Sequence, residues 1–164
     1  KQKLGQVGWR EVLRPIYSLL KQQHNQLAYY IGNEKGYVYF QDFIPNNTYD
    51  IRIIVIGNKA FGIKRIIREN DFRASGSGNI LYDKNELDER CVQIAFDLNN
   101  KINSQSIGFD FVFDEDNKPL IVEISYAFTA RVYDSCAGFW DNELNWHEGP
   151  FNPYGWMVDT MLEK

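Results

Sequence analysis

Residues 108–125, GFDFVFDEDNKPLIVEIS, set one carboxylate into each of two strand-like runs. Apolar alternation surrounds both Asp110 and Glu123, and the polar DEDNK between the runs supplies turn chemistry. A turn centred on Asp116 and Asn117 puts Asp110 directly opposite Glu123, Phe111 opposite Val122 and Phe113 opposite Leu120. Like charges facing each other on a sheet repel. The same oxygens suit a hard divalent cation: Mg2+ takes one or two protein carboxylates and completes its shell with water and phosphate oxygens. With neither His nor Cys in the run, the donor set points to Mg2+ or Mn2+ rather than Zn2+. The plainer alternative is a pair of acids that simply face solvent. Asp114, Glu115 and Asp116 read as a solvated turn tip.

The matching cations lie upstream: Arg52, Lys64, Arg65, Arg68 and Arg73. DIRIIVI at 50–56 and AFGIKRII at 60–67 flank Gly57, Asn58 and Lys59, a hairpin signal. A turn centred on Asn58 and Lys59 places Arg52 across the ladder from Arg65. Cations stacked this way make sense around a polyphosphate. The alternative is surface pairing with Asp50, Glu69 and Asp71, which contributes little. The loop ASGSGN at 74–79 offers backbone N–H groups to an anion, but no Lys follows as in a phosphate-binding loop.

The elements that carry these residues follow from periodicity. Apolar spacing predicts a helix over 9–23, interrupted by Pro15, then a strand over 36–44 ended by PNN. A second helix is expected over 82–104, capped by Asp83 with Glu86 three residues on. Its buried face is Leu87, Cys91, Ile94, Ala95, Leu98 and Ile102. Residues 126–155 read as one long aromatic loop, closed by a short helix over 156–162. Helix, strand, hairpin, loop, helix, hairpin and tail make an α+β fold with a mainly antiparallel sheet and flanking helices.

Composition limits the function classes. The chain has 164 residues, 44% of them apolar, so a real core forms. A formal net charge of -4 argues against nucleic acid held by bulk electrostatics. No apolar run reaches the length of about 18 residues that spans a membrane. Cys91 and Cys136 are too few for a disulfide framework and read as reduced thiols of a cytoplasmic protein. His147 beside Glu148 is a structural histidine by its aromatic setting, with a metal or acid–base role as the alternative; His24 reads as solvated. No His–Cys pattern recommends Cys136 as a nucleophile. Trp140, Trp146 and Trp156 either pack the tail or stack on a sugar, which leaves a glycan-binding module as an alternative.

Together, DIRIIVIGNKAFGIKRIIRENDFRASGSGN and, about 30 residues on, GFDFVFDEDNKPLIVEIS resemble the C-terminal half of ATP-grasp ligases. The likeness covers 37–125 and is strongest to the branch containing ribosomal-protein glutamate ligases and D-alanine–D-alanine ligases. The tail ELNWHEGPFNPYGWMVD resembles a subgroup found among cell-surface polysaccharide genes. The resemblance implies an ATP- and Mg2+-dependent carboxylate–amine ligase that phosphorylates a carboxylate and lets an amine attack the acyl phosphate. It implies that Gln41, Asp42, Phe43 and Ile44 form the hinge against adenine, with Asp42 and Asp50 toward the ribose. Arg52 and Lys64 would complete the nucleotide site. Arg65 and Arg73 would contact the transferred phosphate, and Asp110, Glu123 and Ser125 would hold Mg2+ or Mn2+. Two departures stand out. Ser125 occupies the position where the family has a third ligand, Asn. The family's two N-terminal lysines, glycine-rich lid and substrate domain are not found; Lys1 and Lys3 near Gly5 and Gly8 are remnants at best. Residues 1–36 are therefore expected to be the end of a lid subdomain and 37–164 the C-terminal subdomain, with the aromatic tail at 126–164. On this expectation the chain is part of a longer enzyme and inactive alone. A noncatalytic nucleotide-binding module is the alternative. The carboxylate and amine substrates and the oligomeric state are not specified by these motifs.

Overall fold

A computed structural model describes residues 38, 40–69 and 71–162 of the chain. The chain divides into two compact units, Lys1–Asp42 and Phe43–Lys164, and the fold below is that of the second. The helix expected over 9–23 lies outside the described residues. Residues 38 and 40–44 form no strand, so the strand expected over 36–44 is not seen where the chain is described.

Seven antiparallel strands form one sheet: β1 (Tyr49–Ile56), β2 (Lys59–Ile66), β3 (Ile80–Leu81), β4 (Ser106–Phe113), β5 (Pro119–Ser125), β6 (Gly138–Asp141) and β7 (Trp146–Glu148). Their order is β5-β4-β1-β2-β6-β7, with β3 also paired to β2. Two helices cover it, α1 (Glu89–Ile102) and α2 (Pro153–Leu162). This is the α+β architecture with a mainly antiparallel sheet that the sequence predicts.

The turn between β1 and β2 is a two-residue one, with Gly57 at φ 56° and Ile56 paired to Lys59. A positive φ at the first central position is the II′ pattern that matches strand twist, and Gly adopts it without a Cβ clash. The register therefore differs from the expected one. Arg65 pairs with Asp50, and Arg52 with Ile63. Because the shift amounts to two residues, no side chain changes face. Arg52 and Arg65 remain on one face, as diagonal neighbours.

The β4–β5 hairpin contains two irregularities that compensate. Its loop is Glu115, Asp116 and Asn117, with Asn117 at φ 58°, and it sets Phe113 opposite Pro119. A bulge at Val122 then adds one residue, so Phe111 meets Ile121, while Asp110 still meets Glu123. The predicted pairs Phe111–Val122 and Phe113–Leu120 are thus corrected, and the acid pair is retained. Pro119 is tolerated because β5 is an edge strand.

The sheet buries both faces. Ile51, Ile53, Val55, Phe109 and Phe111 pack against α1. Ile54, Ile56, Phe61 and Ile63 pack under the tail. Helix α1 starts later than expected: Asp88 accepts from the Arg90 N–H as its cap, and Asp83 caps only a 3-10 turn, Lys84–Glu86. Its buried face includes Val92 and Phe96 beside Cys91 and Ala95, whereas Ile102 is exposed. The tail is not one loop. It forms a 3-10 turn, Ala130–Tyr133, strands β6 and β7, and α2, which starts with Pro153 and the side chain of Asn152 accepting from the Gly155 N–H.

Candidate functional site

On the tail-side face, four neighbouring strands bring five charges together. β1 contributes Asp50 and Arg52, β2 contributes Arg65, β4 contributes Asp110 and β5 contributes Glu123. Arg52 pairs with Asp110 across one ladder, and Asp110 with Glu123 across the next. The Arg52 fork grips Asp110 through Nε, and through Nη2 at 2.6 Å. Arg65 donates to both Asp50 oxygens at 2.7 and 2.6 Å, and from Nη2 to Asp110 Oδ2 at 2.7 Å. Among the described residues Glu123 is held only by a 3.5 Å contact from Arg52, and its side chain is 61% exposed. Arg65 and Asp110 are buried. The repulsion expected between facing acids is thus relieved by guanidinium groups lying between the carboxylates.

Burial opposes the charge on Arg65, but the Asp50 hydrogen bond and the charges of Asp110 and Asp50 outweigh it, so its pKa lies above the ordinary value. Arg52 behaves likewise, with Asp110 as the favourable partner. Both stay cationic at any physiological pH. Burial raises Asp50 above the usual carboxylate range, against the pull of Arg65.

A cavity of about 350 Å³ opens beside this ladder. Arg52 and Arg65 form part of its floor, the 74–78 loop one rim, and Thr129, Val132 and Tyr133 of the tail its roof. Gly76 and Gly78 sit at φ 70° and 77°, which lets the loop turn back over the sheet. Burial raises the Tyr133 hydroxyl's pKa, with Arg52 and Arg65 pulling the other way, so the hydroxyl stays neutral.

The remaining candidates fall elsewhere. Lys64 lies on the opposite, α1-side face, bonded to Glu86 at 2.8 Å and over the Tyr49 ring at 4.2 Å. Arg73 is exposed and forks onto Asp71 at 2.6–3.0 Å, outside the cavity lining. Gln41, Asp42 and Phe43 are exposed, and Ile44 is half-buried. The Phe43 ring meets Phe72 edge-on at 5.3 Å. The Ser125 hydroxyl donates to Ala127 O at 3.0 Å.

The acid pair fits Mg2+ in donor type. Asp110 uses one lone pair of Oδ1 and two of Oδ2 on the arginines, which leaves an acceptor site. Glu123 is open. Among the described residues no three His, Cys, Asp or Glu side chains converge on one point, so an ion here would keep most of its shell for water and phosphate oxygens.

His147 bonds Asp141 at 2.7 Å and stacks on Phe139, as a strut of the β6–β7 hairpin. Cys136 is buried with its pKa pushed up to about 12, an inert thiol. Trp140 is fully buried against Trp146, and Trp156 stacks on Phe151. The three rings pack the tail onto the sheet.

An arginine–carboxylate ladder beneath a glycine-rich loop, on an antiparallel sheet, defines an α+β domain with a charged patch on one face of its sheet. The RimK-like ATP-grasp domain matches residues 12–135, and the chain belongs to that family. The chain is similar to the alpha-aminoadipate–LysW ligase LysX of Saccharolobus solfataricus, 30% identical over 122 residues, covering 71% of this chain and 42% of LysX. It also resembles the uncharacterized protein MG012 homolog of Mycoplasma pneumoniae, 22% identical over 110 residues, covering 66% of this chain and 38% of that protein. The chain spans about two fifths of the length of these curated relatives.

Tyr133 and the 129–133 roof were not legible as site residues in the sequence. The only signal was their position just after the acid strand, where an irregular segment must leave the sheet and cross one of its faces. Among the described residues no helix is long and apolar enough to cross a membrane.

Proposed function

We propose that this chain supplies the C-terminal wall of a cytoplasmic ATP- and Mg2+-dependent ligase that joins a carboxylate to an amine through an acyl phosphate. The observation that carries this reading is the part-buried ladder Asp50–Arg65–Asp110–Arg52, ending on the exposed Glu123. In it, Asp110 and Glu123 hold the metal, which neutralises phosphate charge when bound. Ser125 adds a hydroxyl lone pair or a water, because its hydroxyl donates to Ala127 O and keeps an acceptor site. Arg65, kept cationic by two carboxylates, faces the transferred phosphoryl group, with Arg73 joining it once its exposed fork leaves Asp71. Gln41, Asp42, Phe43 and Ile44 lie along the nucleotide. Lys64, on the far face, sets the position of β2 rather than touching ATP.

The chemistry balances simply. A carboxylate oxygen of the acid attacks the γ-phosphorus, and ADP leaves. The amine then attacks the acyl carbon, inorganic phosphate leaves, and the amine nitrogen loses its proton. Arg52 and Arg65 orient the anions before and after transfer, and the buried setting strengthens those hydrogen bonds.

Glu123→Gln tests the reading cleanly, because Glu123 is exposed and weakly paired. Stability should stay within about 0.5 kcal/mol of wild type. Mg2+-dependent ATP binding, measured by calorimetry, should weaken at least about tenfold, as loss of a charged metal ligand demands. Unchanged ATP affinity at all Mg2+ concentrations would remove Glu123, and the acid pair with it, from the metal site.

A further inference from the structure

Helix α2 lies beyond residue 135, where the match to the RimK-like domain ends, so family membership does not account for it. Its sequence, PYGWMVDTML, holds one charged residue, Asp159. Pro153 is buried, and Trp156 and Met157 pack into the tail-side core. The outward residues are apolar as well. Tyr154, Val158, Met161 and Leu162 are 58%, 57%, 63% and 78% exposed. Steps of four, three and one place them on one side of the helix, away from Trp156 and Thr160. Asp159 flanks this stripe. A helix that is apolar on both sides is one that is covered on both sides.

The exposed parts of the four side chains amount to roughly 450 Å², a size at which an apolar patch on a single chain is often functional. Ile102, 50% exposed at the C-terminal end of α1, adjoins the same end of α2: three residues on, Gln105 Nε2 donates to Met161 Sδ at 3.0 Å. Two such patches together bury on the order of 1,000 Å², the lower bound for a specific protein interface.

Charge selects the occupant. A helix that lies on a membrane carries Lys or Arg along its polar face. α2 has neither, and the chain's net charge is -4. An uncharged stripe meets its own copy without opposing like charges, and a two-fold contact needs only one patch per chain. An antiparallel pairing about Val158 sets the Tyr154 end of one stripe against the Met161–Leu162 end of the other. Such a contact leaves the arginine–carboxylate ladder open. The end of α2 rests on the β1–β2 turn, where a Cβ at Gly57 would lie 3.0 Å from Thr160 Cγ2. Arg52 stands four residues from Ile56 along β1, about 14 Å away.

We infer that the outer face of α2 is a homodimer contact: a second copy of this chain packs its own α2 antiparallel on this one, about a two-fold axis at Val158. The inference does not rest on the ligase reading.

Sedimentation equilibrium of the full chain from about 5 to 500 µM spans the Kd expected of so small an interface. The mean mass should rise with concentration from 19.2 kDa toward twice that. Val158→Asp opposes two acids on the axis and should weaken association at least about tenfold. Its melting temperature at low concentration and its Mg2+–ATP affinity should stay at wild-type values, because the side chain is exposed. Val158→Cys should cross-link two chains on mild oxidation, since the axis brings the two thiols together. Gln93→Cys, exposed on α1, should not, and the native Cys91 and Cys136 are buried. A monomer at every concentration overturns the proposal; binding of that monomer to neutral phosphatidylcholine vesicles would name a lipid surface as the occupant instead. A dimer that Val158→Asp leaves intact lies on another face and overturns it equally. Dissociation by Val158→Asp without the Val158→Cys cross-link overturns the pairing about Val158.

Discussion

Asp110 is the residue on which the site turns. It is buried, accepts from two guanidinium groups, and faces Glu123 on the next strand. Asp110→Asn keeps the shape and removes the charge. It leaves Arg52 with only the distant Glu123 and Arg65 with only Asp50. Breaking one partner of a buried ion pair costs about 3–5 kcal/mol, since the remaining charge stays desolvated. Urea unfolding should therefore show a lower midpoint for Asp110→Asn, and almost none of that loss for Glu123→Gln, whose side chain is 61% exposed. Equal losses from the two would mean that the acids are equivalent surface groups. The facing of these acids was legible in the sequence, because each is the polar break in an apolar alternation. What the sequence concealed is that arginines from β1 and β2 would lie against them. Seeing that required the order of strands in the sheet, which short-range periodicity does not carry.

At the scale of elements, the β1–β2 hairpin positions Arg52 and Arg65, and Gly62 shows how tightly. A Cβ there would come 2.6 Å from Ile53 Cδ1 and 2.8 Å from the Arg52 carbonyl oxygen. The first neighbour can rotate away; the second is backbone and must carry Arg52 with it. Gly62→Ala should cost about 1–3 kcal/mol by overpacking, and it should weaken binding at the arginine floor as well. A thermal scan paired with ATP titration separates the two effects. The β6–β7 hairpin carries a different device. Asp141 accepts from the Glu143 and Asn145 N–H groups at 3.0 and 2.9 Å and from His147. The His147 hydrogen bond, with those N–H groups, holds its carboxyl at about 2, below the ordinary 3.8. A depressed folded pKa gives stability that is complete above the unfolded value and is lost as pH falls through the folded one. Wild type should thus lose stability between about pH 4 and pH 2 in a step that Asp141→Asn makes smaller, read from melting temperature against pH; Asp71, also held at about 2, supplies the part that remains. This hairpin escaped sequence reading because β6 and β7 have only 4 and 3 residues, too short for alternation to register. Helix α1 was legible but began too early, since Asp83 and Asp88 are both competent caps and packing alone decides between them.

Across the whole described domain, the sheet separates two cores with different duties. The α1-side core touches no site residue except through the strands. The tail-side core, with Phe151 and Trp156 each packed against both Phe61 and Phe139, also holds Tyr133, whose ring lies 5.1 Å from Phe61. The roof of the cavity is therefore fastened by the same aromatic cluster that anchors α2. This arrangement predicts that equal losses of stability will have unequal effects on binding. Phe96→Ala, on the α1 side and 4% exposed, should cost about 3–5 kcal/mol as a large-to-small core change. Trp156→Ala, half-buried, should cost about 2–3 kcal/mol from lost area and ring packing. Under conditions where both variants remain folded, Phe96→Ala should bind Mg2+–ATP as wild type does. Trp156→Ala should bind it more weakly, because Trp156 supports Phe61, the ring that packs on Tyr133 in the cavity roof. Amide exchange in 129–133 should accelerate only in the second variant. If the two variants bind alike, the tail is a stabilising cover with no part in shaping the cavity, and the division of labour between the two faces is wrong.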